Sequence, residues 1–405
     1  MKRSSDGKRK DSSSMGKDLF GREIPSSGFW SSEDNETLLI FTSKNLENRK
    51  KIAAFDMDGT LITTKSGKVF PVDTNDWKLL DSKIPKKLAE LYNDGYKICI
   101  FTNQKGLEKG HVLKKDFQKK IEAVVKALGV PIHVFISAGS GRFRKPCTGM
   151  WEALERYNDD VKIDKEESLF VGDAAGRIVT KTRPKKDHSS ADRLLAINLG
   201  LKFFTPEQFF FEKKEEPWKT PAFVPTEFIA KKLPLLEPEH AKVPSQDKEL
   251  ILMVGFPGSG KSTFARNIAA EHNYAIVSRD ILGTWQKCVA QAKKELEDGR
   301  SVIIDNTNPD VESRARYVSL AKTMSVSVRC FVMNCTMDHA LHNIRFRTLT
   351  NSSVPIVSSM VLRMHNSKYK KPELSEGFDE IVSVNFVADF SNDEHERLYS
   401  MHLIE

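Results

Sequence analysis

Short apolar runs recur along the chain from Lys51, and each closes on a polar cluster. Ile52-Ala53-Ala54-Phe55, Ile98-Cys99-Ile100-Phe101 and Leu169-Phe170-Val171-Gly172 lack polar alternation, which predicts strands covered on both faces, as in a parallel sheet. Phe117, Ile121, Val124 and Leu128 recur with the period of one helix face, and Gly129 and Pro131 follow as stop signals. Such alternation of strand and helix predicts a doubly wound α/β sheet. A second α/β pattern starts at Glu249. Its strand candidates are Leu250-Ile251-Leu252-Met253-Val254, Tyr274-Ala275-Ile276-Val277, Ser301-Val302-Ile303-Ile304 and Val326-Ser327-Val328-Arg329-Cys330-Phe331-Val332. The two halves share an architecture and no motif, so they are not a repeat.

Between the patterns the rhythm breaks. Pro206, Pro217, Pro221, Pro225, Pro234, Pro238 and Pro244 exclude a long helix or a central strand. Phe209, Phe210, Phe211, Trp218, Phe223 and Phe228 argue against a free linker and for a segment packed along one or both domains. The expected organisation is a disordered basic tail at 1–28, a first domain at 29–212, a packed Pro-rich connection at 213–247 and a second domain at 248–405.

Composition narrows the class. Of 405 residues, 39% are hydrophobic and 29% charged, an ordinary balance that lets either half bury its own core. The net charge of +8 favours polyanionic partners. Five cysteines with no Cys-x-x-Cys pair argue against a disulfide framework or a zinc site. No apolar run reaches the roughly 18 residues of a membrane span, and the amino terminus has no apolar core of a secretory signal. Its Lys2-Arg3 and Lys8-Arg9-Lys10 clusters fit either a nuclear-import signal or a solubilising tail.

The chemistry sits where the apolar runs end. Asp56-Met57-Asp58-Gly59-Thr60 puts two carboxylates one residue apart after a strand, where both can converge on one phosphoryl group. Asp56 is the candidate nucleophile and Asp58 the candidate general acid and base. Thr102 and Asn103 end the second strand, with a hydroxyl and an amide able to hold phosphoryl oxygens, and Lys145 can neutralise the transferring charge. Asp173 ends the third strand, and a hard cation such as Mg²⁺ would sit among Asp56, Asp58 and Asp173. In the second half, Gly255-Phe256-Pro257-Gly258-Ser259-Gly260-Lys261-Ser262-Thr263 fits the G-x-x-x-x-G-K-[ST] loop between a strand and a helix. Gly255, Gly258, Ser259 and Gly260 would cradle the phosphates of ATP, and Lys261 would bridge them. Ser262 would bind Mg²⁺, with Thr263 beside it. Asp280 is the candidate base for an acceptor hydroxyl, Asp305 the candidate acid toward the metal, and Arg345 and Arg347 candidate lid arginines.

The first constellation resembles the haloacid dehalogenase superfamily, whose members use a nucleophilic Asp and Mg²⁺. Many members place a further acid four residues after the Asp of the third site; here that position is Arg177, and Asp187 or Asp192 is left to serve. The whole stretch from about Trp30 resembles eukaryotic polynucleotide kinase 3′-phosphatases, through Phe55-Asp56-Met57-Asp58-Gly59-Thr60-Leu61, Phe101-Thr102-Asn103-Gln104, Val171-Gly172-Asp173-Ala174-Ala175-Gly176-Arg177, the Lys261 loop and Ile304-Asp305-Asn306-Thr307-Asn308-Pro309. The resemblance implies a haloacid-dehalogenase-like domain followed by a P-loop kinase domain. It implies a nuclear DNA strand-break repair enzyme that removes 3′-phosphates and phosphorylates 5′-hydroxyls. Its substrates would be DNA ends, its partners repair scaffold or ligase proteins, and its state a monomer. A forkhead-associated domain does not fit before Lys51. The residues alone leave a second substrate class open, a sugar, nucleoside or other metabolite.

Overall fold

The computed structural model describes residues 16–17, 23–24, 28–351, 354 and 357–405. Of the tail expected at 1–28, Gly16–Lys17 and Glu23–Ile24 form a short antiparallel ladder and Gly28 opens a strand; the rest lies outside the described residues. The chain divides into two units, the first through Pro221 and the second Ala222–Ile404.

The first unit is built on seven strands: β1 (Gly28–Glu33), β2 (Leu38–Ser43), β3 (Lys51–Phe55), β4 (Tyr96–Asn103), β5 (Ile132–Ser137), β6 (Leu169–Val171) and β7 (Lys202–Phe204). Their order across the sheet is β7-β6-β3-β4-β5-β2-β1. The five from β7 to β5 run parallel, and β2 and β1 continue the sheet antiparallel. Side chains leave alternate faces of a strand. Ala53 and Phe55 with Ile98 and Ile100 therefore face one helical layer, α1 (Ile84–Asn93) and α2 (Lys114–Leu128). Ile52 and Ala54 with Cys99 and Phe101 face the other, α3 (Gly149–Arg156) and α4 (Ala191–Leu199). Helix α2 buries Phe117, Ile121, Val124 and Leu128 and ends at Gly129, whose φ of 76° is the left-handed cap that glycine takes without strain.

The second unit holds β8 (Leu236–Glu237), β9 (Glu249–Val254), β10 (Ala275–Val277), β11 (Val302–Ile304), β12 (Ser327–Asn334) and β13 (Glu380–Asn385). The sheet order is β8-β13-β12-β9-β11-β10, parallel except for the edge strand β8. Helix α5 (Lys261–His272) covers one face; α6 (Trp285–Glu297) and α7 (Val311–Thr323) cover the other. Three further helices follow: α8 (Met337–Thr350), α9 (Ser359–Lys368) and α10 (Asp393–Tyr399).

The break between units falls inside the expected connection, and the aromatic residues of the proline-rich stretch divide accordingly. Phe209 and Phe210, on the helix Pro206–Phe211, pack against Phe55. Trp218 lies under the Arg193 guanidinium, 4.7 Å from ring centre to Cζ. Phe223 and Phe228 instead pack against His339 of the second unit.

Candidate active sites

In the first unit the ends of β3, β4 and β6 bring Asp56, Thr102 and Asp173 to one edge of the sheet. Lys145, 2% exposed, stands at the centre: its Nζ lies 2.6 Å from Asp56 Oδ1, 2.7 Å from Asp192 Oδ1 and 2.8 Å from Phe101 O. Carboxylate oxygens of Asp56, Asp173 and Asp192 lie within 4.8 Å of one another. Two glycines make room for this. A Cβ on Gly59, whose φ is +89°, would stand 2.5 Å from Asp173 Oδ2; one on Gly172 would stand 2.4 Å from Asp192 Oδ2.

Two buried carboxylates, Asp56 and Asp192, thus share one ammonium, with the half-buried Asp173 beside them. Burial raises the Asp56 pKa to about 7 against the pull of Lys145, with Asp192 adding to the rise. Burial and the charge of Asp56 push Asp173 up as well. Burial works against the Lys145 charge, but Asp192 and Asp56 outweigh it and raise its pKa. A cluster short of positive charge, made only of oxygen donors, fits a hard divalent cation.

The cluster takes Asp192 where the sequence pointed to Asp58. The Asp58 carboxylate lies outside it, 47% exposed, with Lys120 Nζ at 3.2 Å and Gln104 Nε2 donating at 2.7 Å. Asp187, the alternative to Asp192 in the sequence, is occupied elsewhere. It accepts from Arg177 Nε at 2.7 Å and Arg183 Nη1 at 3.2 Å, and so is neutralised by two guanidinium groups. Arg177 also donates to Asp173 O at 3.0 Å, bracing the third site with a cation where many relatives carry an acid. Thr102 Oγ1 accepts from Gln104 Nε2 at 2.8 Å, leaving its own proton to donate. Asn103 does not match its expected role: its amide clamps the Lys145 backbone, accepting from the N–H at 3.0 Å and donating to the carbonyl at 3.3 Å. Lys120, Gln104 and the Asn103 clamp were missed in the sequence; only their places beside the motif or on a helix face marked them.

In the second unit β9 ends in the glycine loop and α5 starts at Lys261. Gly255, Gly258 and Gly260 have φ of +154°, +82° and +98°. A Cβ on Gly258 would meet Ile344 at 2.6 Å and Ala340 O at 2.8 Å, so helix α8 seats on the loop only because glycine is there. Lys261 Nζ donates to Gly255 O at 3.1 Å and Phe256 O at 2.7 Å. Burial lowers its pKa to about 8, against the upward pull of Asp305, Cys335 and Asp280. Ser262 and Thr263 are exposed on the first turn of α5, while Ser259 is buried. Asp280 is exposed after β10, and Asp305 follows β11 with its N–H bonded to Val277 O at 2.9 Å. Asn306 Oδ1 accepts from Arg279 N at 2.8 Å and ties the two acid-bearing loops together. Arg345 and Arg347 lie on α8, the helix seated on the glycine loop.

A lysine shared among strand-end aspartates, and separately a strand, glycine loop and helix closing on a second lysine, define a haloacid-dehalogenase-type phosphatase joined to a P-loop kinase. Comparison with known proteins agrees. The family model "Polynucleotide kinase 3 phosphatase" matches residues 51–210, and an AAA domain model matches 250–284 and 282–372. The bifunctional polynucleotide phosphatase/kinase of Schizosaccharomyces pombe is 36% identical over 357 residues, covering 88% of this chain and 84% of that protein. The polynucleotide 3′-phosphatase ZDP of Arabidopsis thaliana is 38% identical over 196 residues, covering 44% of this chain and 27% of that one. The chain belongs to the bifunctional polynucleotide phosphatase/kinase family. It is an enzyme with a polynucleotide 3′-phosphatase domain and a polynucleotide 5′-kinase domain.

Proposed function

We propose that the enzyme repairs the ends of broken DNA in the nucleus, turning a 3′-phosphate and a 5′-hydroxyl into ends that a ligase joins. The observation that carries the first activity is Lys145 held between Asp56 and Asp192. Asp56 attacks the phosphorus of the 3′-phosphate and the bond to the sugar oxygen breaks. Asp58 gives its proton to that leaving oxygen and then takes one from the water that hydrolyses the aspartyl-phosphate. Lys145 and the Thr102 hydroxyl take up charge on the phosphoryl oxygens. Asp56, Asp173 and Asp192 would hold Mg²⁺, which when bound supplies the positive charge that keeps Asp56 ionised. Asp58 is well placed for acid and base work because it is exposed yet oriented by Lys120 and Gln104.

For the second activity, the donor is ATP. Its phosphates lie on the backbone of Gly255, Gly258, Ser259 and Gly260, with Lys261 turning from the loop carbonyls to bridge them. Asp280 accepts the proton of the 5′-hydroxyl as its oxygen attacks the γ-phosphorus and ADP leaves; Ser262 and Asp305 would hold Mg²⁺, which when bound would offset the charge of the phosphates, and Arg345 and Arg347 close over them. Each site is built within one unit of one chain, in keeping with a monomer that works alone or beside repair scaffold and ligase proteins. The basic balance of +8 supports a polynucleotide over a small metabolite. The test is competition at low salt. A 3′-phosphorylated oligonucleotide should suppress hydrolysis of small phosphate esters at micromolar concentration, and this should weaken as salt rises. Equal competition by free nucleoside 3′-phosphate would contradict the DNA reading.

A further inference from the structure

The glycine loop of the kinase unit holds Gly255, Gly258 and Gly260 at positive φ, a shape that its neighbours must maintain. Two of the side-chain hydrogen bonds to its carbonyls come from Lys261, which gives them up when its ammonium turns to phosphate. A third comes from outside the loop. Asn343, on α8, donates from Nδ2 to Gly258 O at 3.0 Å. Its other amide atom, Oδ1, accepts from the Tyr399 hydroxyl at 2.7 Å. That hydroxyl lies 2.9 Å from His339 Nε2. A phenol has one proton, and here it is given to Asn343, so His339 must donate to Tyr399 through Nε2. The result is one directed chain, His339 to Tyr399 to Asn343 to Gly258, in which each bond polarises the next.

The chain is buried and fixed along its length. Asn343, Tyr399 and His339 are 7%, 1% and 2% exposed. His342 Nε2 stands 2.9 Å from Tyr399 O and holds the backbone of that residue. The Tyr399 ring lies parallel to Phe386 at 5.9 Å, and Phe386 is the side chain that a Cβ on Gly260 would meet at 3.2 Å. Phe223 and Phe228 cover His339 at 4.3 Å each. Tyr399 therefore acts on two glycines of the loop, on Gly258 through Asn343 and on Gly260 through the Phe386 ring.

We infer that Tyr399, acting through Asn343, is a positioning residue of the kinase site that holds the glycine loop in the shape receiving the nucleotide phosphates. This rests on the reading of that loop as the ATP site. It gives the last helix, α10, an indirect part in nucleotide binding, since α10 contributes no group that touches the nucleotide.

Two variants test it in the full-length enzyme. Tyr399→Phe removes only the hydroxyl and keeps the ring; Asn343→Leu keeps the shape and removes both bonds. Kinase rates are measured with ATP varied at saturating 5′-hydroxyl oligonucleotide and then with the oligonucleotide varied, alongside thermal unfolding. Tyr399→Phe should raise KM for ATP roughly fivefold to tenfold, the size of one net hydrogen bond, and leave KM for the oligonucleotide unchanged. Asn343→Leu should do at least as much, and the double variant should match Asn343→Leu alone, since the hydroxyl acts through Asn343. A KM for ATP within twofold of the parent in Tyr399→Phe would overturn the inference. So would an equal rise in both KM values, or effects of the two substitutions that multiply. A parent enzyme that did not bind ATP at all would instead overturn the underlying reading, and the inference with it.

Discussion

Asp192→Asn asks whether Asp192 belongs to the phosphatase site. The side chain is 1% exposed, its Oδ1 lies 2.7 Å from Lys145 Nζ, and its Oδ2 accepts from Ala174 N at 3.0 Å. An amide fills the same space and can still accept from Ala174, but it neither balances Lys145 nor offers an anionic oxygen to a cation. Removing one partner of a buried ion pair costs about 3 kcal/mol, at the low end because Asp56 still faces Lys145. For a domain of this size that is about 10 °C in Tm. The rate effect should be larger than stability explains: phosphate release should fall about 10²-fold in kcat/KM, from a weakened cation site and a displaced Lys145. Protonation of Asp56 cannot be the cause, since loss of the Asp192 charge lowers the raised Asp56 pKa. The assay is release of 3′-phosphate from an oligonucleotide with Mg²⁺ titrated, well below the melting transition, with the kinase rate of the same sample as reference. Asp187→Asn is the contrast. It loosens Arg177 and Arg183 and should cost comparable stability, but should keep kcat within about threefold. If Asp192→Asn stayed within twofold of the parent while Asp187→Asn lost about 10²-fold, the geometric reasoning would be refuted.

Two other predictions follow from the second unit. Asp280→Asn should lower kinase kcat about 10²-fold while ATP still binds, because a proton acceptor is lost and Lys261 is untouched; normal turnover there, with loss of catalysis in Asp305→Asn and ATP and Mg²⁺ binding intact, would reverse the two roles. Burial lowers the pKa of His342 to about 3 and of His339 to about 4, against about 6.5 when unfolded. Between these values the unfolded chain binds more protons, so stability is full above about pH 6.5 and is lost as pH falls toward 4, by up to about 1.4 kcal/mol per pH unit for each histidine. Urea midpoints of the kinase transition should fall from pH 7 to pH 5, and a constant midpoint would contradict this.

The parts legible in the sequence are those whose chemistry is local. Asp56, Thr102 and Asp173 each lie at the end of an unbroken apolar strand, and the glycine loop requires its strand and helix on either side, so short motifs marked their place. In the edge hairpin, β2 carries a continuous apolar run, Leu38-Leu39-Ile40-Phe41, that was passed over, whereas β1 was not legible because Ser31 and Ser32 leave it none. Strand β13 was hidden for the same reason, its apolar residues alternating with Ser383 and Asn385. Asp192 and Asp187 could not be separated by sequence, since both lie in one polar stretch. What separates them is three-dimensional: Gly172 opens a space for Asp192, and Arg177 with Arg183 closes on Asp187. Asn103 misled because an amide after a strand suits a phosphoryl group as well as it suits the Lys145 backbone. The aromatic residues of the proline-rich stretch pack through ring and cation–π contacts, but no pattern in the sequence marked the break between Pro221 and Ala222.

The measurement that tests the central claim most directly uses a gapped duplex carrying a 3′-phosphate and a 5′-hydroxyl, incubated with Mg²⁺ with and without ATP, both ends scored. The account predicts loss of the 3′-phosphate in either condition and gain of the 5′-phosphate only with ATP. Asp56→Ala should lose only the first reaction and Lys261→Ala only the second. Loss of both reactions in either well-folded variant, or a 3′-dephosphorylation that needs ATP, would contradict two independent phosphoryl-transfer sites in one chain.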